Sequence, residues 1–201
     1  MDSLDKIEQE IRLCQRCELR SGCSNPVPGF GSVGAKYFII GESPGFNEDQ
    51  DGIPFCGASG RRLDTLLKLA DIDINDCFLS NSVRCRPPKN RDPRKKELQA
   101  CLGFLHRELV AVKPQVVITL GSTPLKLFVD YGVRQVHGTQ FRGTLEGKEY
   151  QVIAQYHPAA ALHAPRLWAD MLSDWEHLPV TVPHDFTITT WKDLEAYLHG
   201  K

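Results

Sequence analysis

The sequence contains no run of eighteen or more apolar residues, which is the length that a membrane-spanning helix requires. Its first residues, Met1 to Glu8, are acidic and amphipathic, and they lack the apolar segment of a signal peptide. The chain also lacks internal repeats and low-complexity segments. With 201 residues and 41% apolar content it can bury one substantial core. We therefore expect one main domain in an intracellular, cytoplasmic protein that has no membrane partner.

The sequence also lacks a substantial net charge, since its formal value is -1, and this value alone argues against nucleic-acid binding. The distribution of charge is uneven. Residues 84–96 contain seven Lys or Arg and one acid, whereas residues 168–201 contain six acids and two Lys. A basic run is typical either of a solvated face or of a surface that contacts phosphates, and its composition alone does not separate the two. Its position beside Asn81 and Cys85 favours a phosphate-contacting surface.

Apolar runs and stretches of helical periodicity alternate along the chain. The four runs that predict strands lie at 37–41, 77–83, 116–120 and 150–154. The helical stretches lie at 1–8, 58–70, 93–113, 122–130 and 166–177, with Ser122 as a helix N-cap. This order predicts a three-layer α/β/α sandwich around a mostly parallel four-stranded sheet. Ligands of such sheets bind beyond the carboxyl ends of the strands, so we expect a site formed by the loops at 42–57, 81–86 and 157–158.

Seven cysteines are an odd number, and a reducing compartment would keep their thiols available for a metal. Cys14 and Cys17 form a CxxC pair, and fifteen residues separate Cys85 from Cys101. A tetrahedral site needs two thiolates besides a CxxC pair, but this spacing does not distinguish zinc from an iron–sulfur centre. We expect the other three cysteines to be small buried residues without a metal role, namely Cys23, Cys56 and Cys77.

Five short motifs occur in a fixed order around the predicted strands. They are Gly41-Glu-Ser-Pro-Gly45, Glu48-Asp49, Gly52-Ile-Pro-Phe-Cys-Gly57, Asn81-Ser-Val-Arg-Cys-Arg-Pro-Pro-Lys-Asn-Arg91 and His157-Pro158. In this order they resemble family 4 uracil-DNA glycosylases, and the resemblance extends from Leu13 to Trp175. The resemblance implies a DNA repair enzyme with a uracil-DNA glycosylase-like fold. Such an enzyme flips uracil out of DNA and hydrolyses its N-glycosidic bond, leaving an abasic site without lyase activity.

The resemblance also implies a [4Fe–4S] cluster, whose ligands here are Cys14, Cys17, Cys85 and Cys101. Two departures from the family pattern are present. Ser43 stands where the family usually has Ala or Gly, which is a small change because the backbone N–H is retained. After His157 the chain reads Pro-Ala-Ala-Ala-Leu-His and lacks the usual arginine, so we expect weaker duplex binding or base-pair opening.

The motifs suggest a chemical role for each site residue. His157 is expected to donate to uracil O2, because a departing uracil anion needs preorganised donors. Glu42 is expected to position or activate the attacking water, and a purely bracing role in its loop is the alternative. The remaining residues are expected to bind substrate: Asn81 distinguishes uracil from cytosine, Phe55 stacks on the base, and Gly41 and Ser43 complete the loop. The family resemblance implies that Glu48 lies against uracil C5 and excludes the thymine methyl.

Residues 1–177 are expected to form the glycosylase domain, and residues 178–201 a linker followed by a short strand and helix. This extension either packs on its own domain or begins a further domain of a longer polypeptide, which would link the enzyme to replication or repair proteins. We expect a monomer that acts on single- or double-stranded DNA containing uracil. Two alternatives remain open, namely a uracil-DNA binding or crosslinking protein without turnover and a zinc-containing interaction module.

Overall fold

The structure is a computed structural model that describes residues 3–162 and 164–178. The linker, strand and helix that the sequence predicts beyond residue 178 lie outside the described residues. Within the described ranges, no helix has the length and apolar character required to cross a membrane.

A five-stranded sheet forms the centre of the fold, with the order β2-β1-β3-β5-β4. Its strands are β1 (Tyr37–Gly41), β2 (Cys77–Asn81), β3 (Val116–Leu120), β4 (Gln140–Leu145) and β5 (Lys148–Gln155). All neighbouring pairs are parallel except β4 with β5, which is antiparallel. The predicted fold class is confirmed, but the sheet has one strand more than the four that the sequence predicted.

The unpredicted strand, β4, forms a hairpin with β5. Glu146 and Gly147 connect the two strands, and both have positive φ, at 49° and 76°. Positive φ at both central residues gives the turn a twist that matches the flanking strands. The Glu-Gly pair is a weaker sequence signal than Asn-Gly, and Gly143 interrupts the apolar pattern inside the strand. These two features explain why the sequence pattern did not indicate a strand here.

The helices of the described chain are short except for α3, α4 and α7. Their bounds are α1 (Leu4–Arg12), α2 (Phe46–Asp51), α3 (Ala58–Leu69), α4 (Lys95–Val112), α5 (Ser122–Leu125), α6 (Val133–Val136) and α7 (Pro165–Glu176). Helix α3 connects β1 to β2, and α4 connects β2 to β3 in the opposite direction along the sheet. Because such crossovers are right-handed, α3 and α4 lie on opposite faces of the sheet. Helix α7 packs with α3, and α1 packs with α4, which completes the three layers.

Three local predictions need correction. The segment expected as a loop after β1 contains α2, which begins after Gly45 and ends at Asp51, directly before Gly52, where φ is 69°. Helix α4 begins at Lys95 and not at the predicted Pro93. The predicted helix at 122–130 ends at Leu125, and Ser122 does not cap it, because its hydroxyl accepts a hydrogen bond from the Val133 N–H at 3.4 Å.

Candidate active site

A cleft of about 450 Å³ lies at the carboxyl ends of the parallel strands, where ligands bind in this type of fold. Residues at or just beyond the ends of β1, β2, β3 and β5 contribute to its wall. The wall includes every predicted substrate-site residue except Gly41, which lies next to two residues of the wall, Asn81 and Phe55. The predicted residues that line the cleft are Glu42, Ser43, Glu48, Phe55, Asn81 and His157.

Gly41 allows two of these side chains to approach each other over the end of β1. A Cβ atom at this position would lie 2.5 Å from the Asn81 Oδ1 atom and 2.9 Å from the Phe55 ring. Phe55 itself has a positive φ of 56°. Its carbonyl oxygen would lie 1.6 Å from a Cβ at Gly60, so α3 can approach only because Gly60 lacks a side chain. Because Gly41 and Gly60 lack side chains, the Phe55 ring can lie beside the Asn81 amide.

Asn81 ends β2 and pairs in register with Gly41 of β1. The residue is only 3% exposed, and its backbone carbonyl accepts a hydrogen bond from the Arg84 guanidinium. Its side-chain amide makes no hydrogen bond within the described part of the chain, although it lines the cleft. A buried amide normally has partners, so this free donor and acceptor indicate a ligand that supplies them.

Glu48 closes the loop that follows β1. The residue is 8% exposed, and its carboxylate accepts hydrogen bonds from the Gly45 N–H at 3.1 Å and the Gly57 N–H at 2.7 Å. Both oxygens are thus occupied by backbone donors on either side of α2. This carboxylate holds a fixed position in the cleft wall, in contrast to a freely solvated acid.

His157 follows β5 and is half-buried in the cleft wall. Its Nδ1 atom accepts a hydrogen bond from the Ala159 N–H at 3.1 Å, so the proton of the neutral ring resides on Nε2. Desolvation lowers the pKa of His157 to about 4, although the nearby Glu48 carboxylate acts in the opposite direction. The ring is therefore neutral at pH 7, and its Nε2–H is the donor that remains available.

The Glu42 carboxylate is held by a residue that the sequence analysis did not identify. The hydroxyl of Thr123, in α5, donates to Glu42 Oε2 at 2.6 Å. Desolvation raises the pKa of Glu42, the Thr123 hydrogen bond lowers it, and the charge of Asp92 raises it, with a net upward shift. The only sequence signal for Thr123 is its position two residues after Gly121, which follows β3.

Further cleft residues also escaped the sequence analysis. Ser59 enters the wall from the first turn of α3, and Asn90 enters it from the 3₁₀ turn Pro88–Asn90. Ala159 and Ala160 belong to the segment in which the family arginine is missing. Their small side chains leave this part of the wall open.

The four cysteines predicted as ligands come together on the side of α4. Cys17, Cys85 and Cys101 share one buried cluster, and Cys14 packs against the adjacent cluster that contains Phe104 of α4. The charges of Cys14 and Cys17 act on the pKa of Cys101, which burial raises. Four neighbouring thiols fit an iron–sulfur centre by their chemistry. Within residues 3–162 and 164–178, no three His, Cys, Asp or Glu side chains are gathered tightly around one point as a single metal ion requires.

Cys23, expected to be an ordinary buried residue, lies beside one of these four thiols. It belongs to the same buried cluster and shares a hydrogen bond with Cys85. This bond lowers the pKa of Cys23 and is the largest cause of the raised pKa of Cys85. The structure therefore brings a fifth thiol to the cysteine group.

The basic segment at 84–96 divides into buried and exposed parts. Arg84 is 2% exposed and forms an ion pair with Glu108 at 2.7 Å, so it is not available to a phosphate. Arg91 pairs with Glu97 at 2.6 Å. The side chains of Lys89, Lys95 and Lys96 are exposed. Only part of the segment can therefore present positive charge to a ligand.

Comparison with known proteins agrees with these features. Residues 28–178 match the family model described as the uracil DNA glycosylase superfamily. A type-4 uracil-DNA glycosylase of Sulfurisphaera tokodaii is 37% identical, over 100% of this chain and 93% of the relative. Proteins of the same name from Archaeoglobus fulgidus and Saccharolobus solfataricus are 36% and 40% identical, over 89% and 82% of this chain and 92% and 80% of the relatives. The chain therefore belongs to the type-4 family of the uracil-DNA glycosylase superfamily.

Proposed function

We propose that this protein is a DNA repair glycosylase that removes uracil from DNA by hydrolysing the N-glycosidic bond. The observation that carries the proposal is the free Asn81 amide, which faces a cleft that also holds the Phe55 ring and the neutral donor His157. An amide that can both donate and accept matches one edge of uracil. Because that edge is paired inside a duplex, the nucleotide must first be flipped into the cleft.

Recognition of the base divides among three residues. The Asn81 amide accepts from uracil N3–H and donates to a neighbouring carbonyl, whereas cytosine has no N3–H to donate. Phe55 offers an aromatic face, and stacking on a base is worth about 1–3 kcal/mol. The fixed Glu48 carboxylate would lie against uracil C5 and leave no room for the thymine methyl group.

Catalysis requires stabilisation of the departing uracil anion and a positioned water. The Nε2–H of His157 donates to uracil O2, and because the ring is neutral it remains a fixed hydrogen-bond donor without transferring a proton. Glu42 holds the water at the sugar carbon through the oxygen that does not accept the Thr123 hydrogen bond. Its raised pKa makes the carboxylate a better proton acceptor than a solvated acid.

The reaction ends at the abasic site, without cleavage of the DNA strand. A glycosylase with lyase activity needs an amine that attacks the sugar and forms a Schiff base. No lysine lines the cleft in the described part of the chain. This composition of the wall supports a hydrolase with no lyase activity.

We assign the [4Fe–4S] cluster of this family to Cys14, Cys17, Cys85 and Cys101. When bound, the cluster supplies covalent cross-links between the N-terminal segment, the loop after β2 and helix α4, and its role there is structural. Cys85 lies four residues after Asn81, the last residue of β2. The cluster ligands would therefore also restrain the loop that follows β2.

We further assign the activity to residues 1–177, acting as a monomer inside the cell on single- or double-stranded DNA that contains uracil. Residues 178–201 would form the linker and the extension, and would provide any connection to replication or repair proteins. The match to the superfamily, which ends at residue 178, supports this division.

The test is an oligonucleotide that carries one uracil, incubated with the protein and analysed before and after alkali treatment. Strand cleavage only after alkali is the expected result, and cleavage without alkali would overturn the absence of lyase activity. His157→Ala should lower the single-turnover rate by about 10²–10³ while changing binding far less. His177→Ala, an exposed histidine in the described C-terminal region, is the matched control and should retain the full rate. A protein–DNA adduct that survives denaturation, with uracil released only in proportion to the adduct and without turnover, would favour a crosslinking protein.

A further inference from the structure

An exposed aromatic ring lies beside the mouth of the uracil cleft. Phe46 is 58% exposed and begins α2 directly after Pro44 and Gly45, which both line the cleft. The two acids of the first helical turn are buried, since Glu48 and Asp49 are 8% and 3% exposed. This end of α2 therefore presents a large apolar ring to solvent without an exposed carboxylate in the first turn.

A guanidinium group lies over this ring. The Arg86 Cζ atom is 5.2 Å from the centroid of Phe46, and its Nε donates to the Asn90 side chain at 2.7 Å. Asn90 lines the cleft, so the hydrogen bond ties the cation to the cleft wall. Arg86 has no acidic partner within the described residues, and its charge remains available to a ligand.

We propose that Phe46 and Arg86 form a subsite for the nucleotide next to the flipped uracil, with the flanking base stacked on the Phe46 ring and its phosphate held by Arg86. An aromatic face with an adjacent free cation is the combination by which proteins bind unpaired nucleotides irrespective of sequence. The subsite rests on the proposed function, because its ligand is the strand whose uracil occupies the cleft. It also supplies a contact to the strand in a chain that lacks arginine in the loop after His157.

The subsite predicts an energetic coupling between Phe46 and one flanking base. The test uses single-stranded oligonucleotides that carry one uracil and either normal neighbours or an abasic spacer at the 5′ or the 3′ flank. Single-turnover rates measured against protein concentration give the dissociation constant and the maximal rate separately. Base stacking corresponds to about 5- to 150-fold in affinity, and we expect Phe46→Ala to weaken binding of the normal strand about tenfold. On the strand whose contacted base is replaced by the spacer, the same substitution should change affinity less than about twofold.

Matched variants separate stacking from damage to the fold. Phe46→Trp should retain the affinity of the original protein, because indole also presents an aromatic face. Phe30→Ala removes another exposed phenylalanine, 65% accessible and outside the cleft wall, and should leave affinity unchanged. Arg86→Met should reduce the slope of log affinity against log salt by about 0.7, the contribution of one phosphate contact on a single strand. The Arg86→Met variant must retain the visible absorbance of the original protein, because the preceding residue, Cys85, is a proposed ligand of the cluster.

Two results would overturn the subsite. One is an effect of Phe46→Ala that is the same for all three strands, and the other is no effect on any of them. If the original protein releases no uracil from any strand, the proposed function itself fails, and the two failures are thereby distinguished.

Discussion

Replacing Arg84 with Met should strongly destabilise the protein, because it leaves the Glu108 carboxylate buried without its cationic partner. Both side chains are 2% exposed, and Arg84 Nη2 donates to Glu108 Oε2 at 2.7 Å. The carboxylate retains hydrogen bonds from the Ser80 hydroxyl at 2.8 Å and from the Gly29 N–H at 3.1 Å. These two neutral donors stabilise the charge but do not balance it.

The expected magnitude follows from the burial of the pair. Removing one partner of a buried ion pair costs about 3–5 kcal/mol in the free energy of unfolding. The Arg84 Nε atom is itself buried without a partner in the described structure, and its removal with the guanidinium relieves part of that cost. The Asn81 carbonyl also loses the hydrogen bond that the Arg84 guanidinium donates. We therefore expect about 4 kcal/mol, which corresponds to a fall in Tm of about 8–16 °C at this chain length.

Thermal unfolding followed by circular dichroism, without oxygen and with visible absorbance recorded in parallel, measures this change. The double variant Arg84→Met/Glu108→Leu should recover most of the lost stability, because no uncompensated charge remains. Lys36→Met is the control, since its pair with Asp76 is exposed and such pairs contribute about 0–1 kcal/mol. A Tm of Arg84→Met within about 2 °C of the original protein, or a double variant no more stable than the single one, would refute the reasoning.

Three further predictions concern the cysteine group, the uracil-reading amide and a histidine outside the cleft. Cys101→Ala should abolish the visible absorbance and iron content of the purified protein, whereas Cys23→Ala should retain both, because only Cys101 is a proposed ligand. Asn81→Asp should release some cytosine from DNA, measured by chromatography of the free base, because a carboxylic acid can present the donor that cytosine N3 needs. The hydrogen bond that His137 Nδ1 donates to the Asp174 carboxylate raises the pKa of His137, so this pair stabilises the fold below the unfolded pKa of about 6.5 and ceases to do so as pH rises through the higher folded value. Asp174→Asn should therefore lower Tm at about pH 6 and leave it unchanged at about pH 9.

Each of these predictions has a contrary outcome. Iron retained by Cys101→Ala, or lost from Cys23→Ala, would show that the ligand set is different. Uracil release by Asn81→Asp without any cytosine release would remove support for the proposed hydrogen bonds. An Asp174→Asn effect of equal size at both pH values would show that protonation of His137 does not contribute.

The order of the elements could be predicted from the sequence because it depends on local patterns. Apolar runs such as Val116–Leu120 fill the buried interior of a parallel sheet and need no knowledge of their neighbours in space. The loops that carry site residues follow these runs directly, and parallel strands bring their carboxyl ends to one edge. The convergence of Glu42, Asn81 and His157 on one cleft therefore followed from the chain order. Helix α2 also had a local signal, Gly45 with Glu48 and then Gly52, which the sequence analysis did not use.

Only the tertiary structure decided which of the polar residues have partners. Thr123 reaches Glu42 across 81 positions of the sequence, and Glu108 neutralises Arg84 across 24. The sequence of a basic segment does not indicate which of its residues is buried. The buried Arg84 could therefore not be distinguished from its exposed neighbours by the sequence alone. Contacts of this kind arise when the sheet brings distant segments together, and local periodicity does not encode them. The sequence by itself thus determined the fold class, the family and the order of the loops that form the cleft, whereas the three-dimensional packing determined the charge, tautomer and hydrogen-bond partners of the residues that line it.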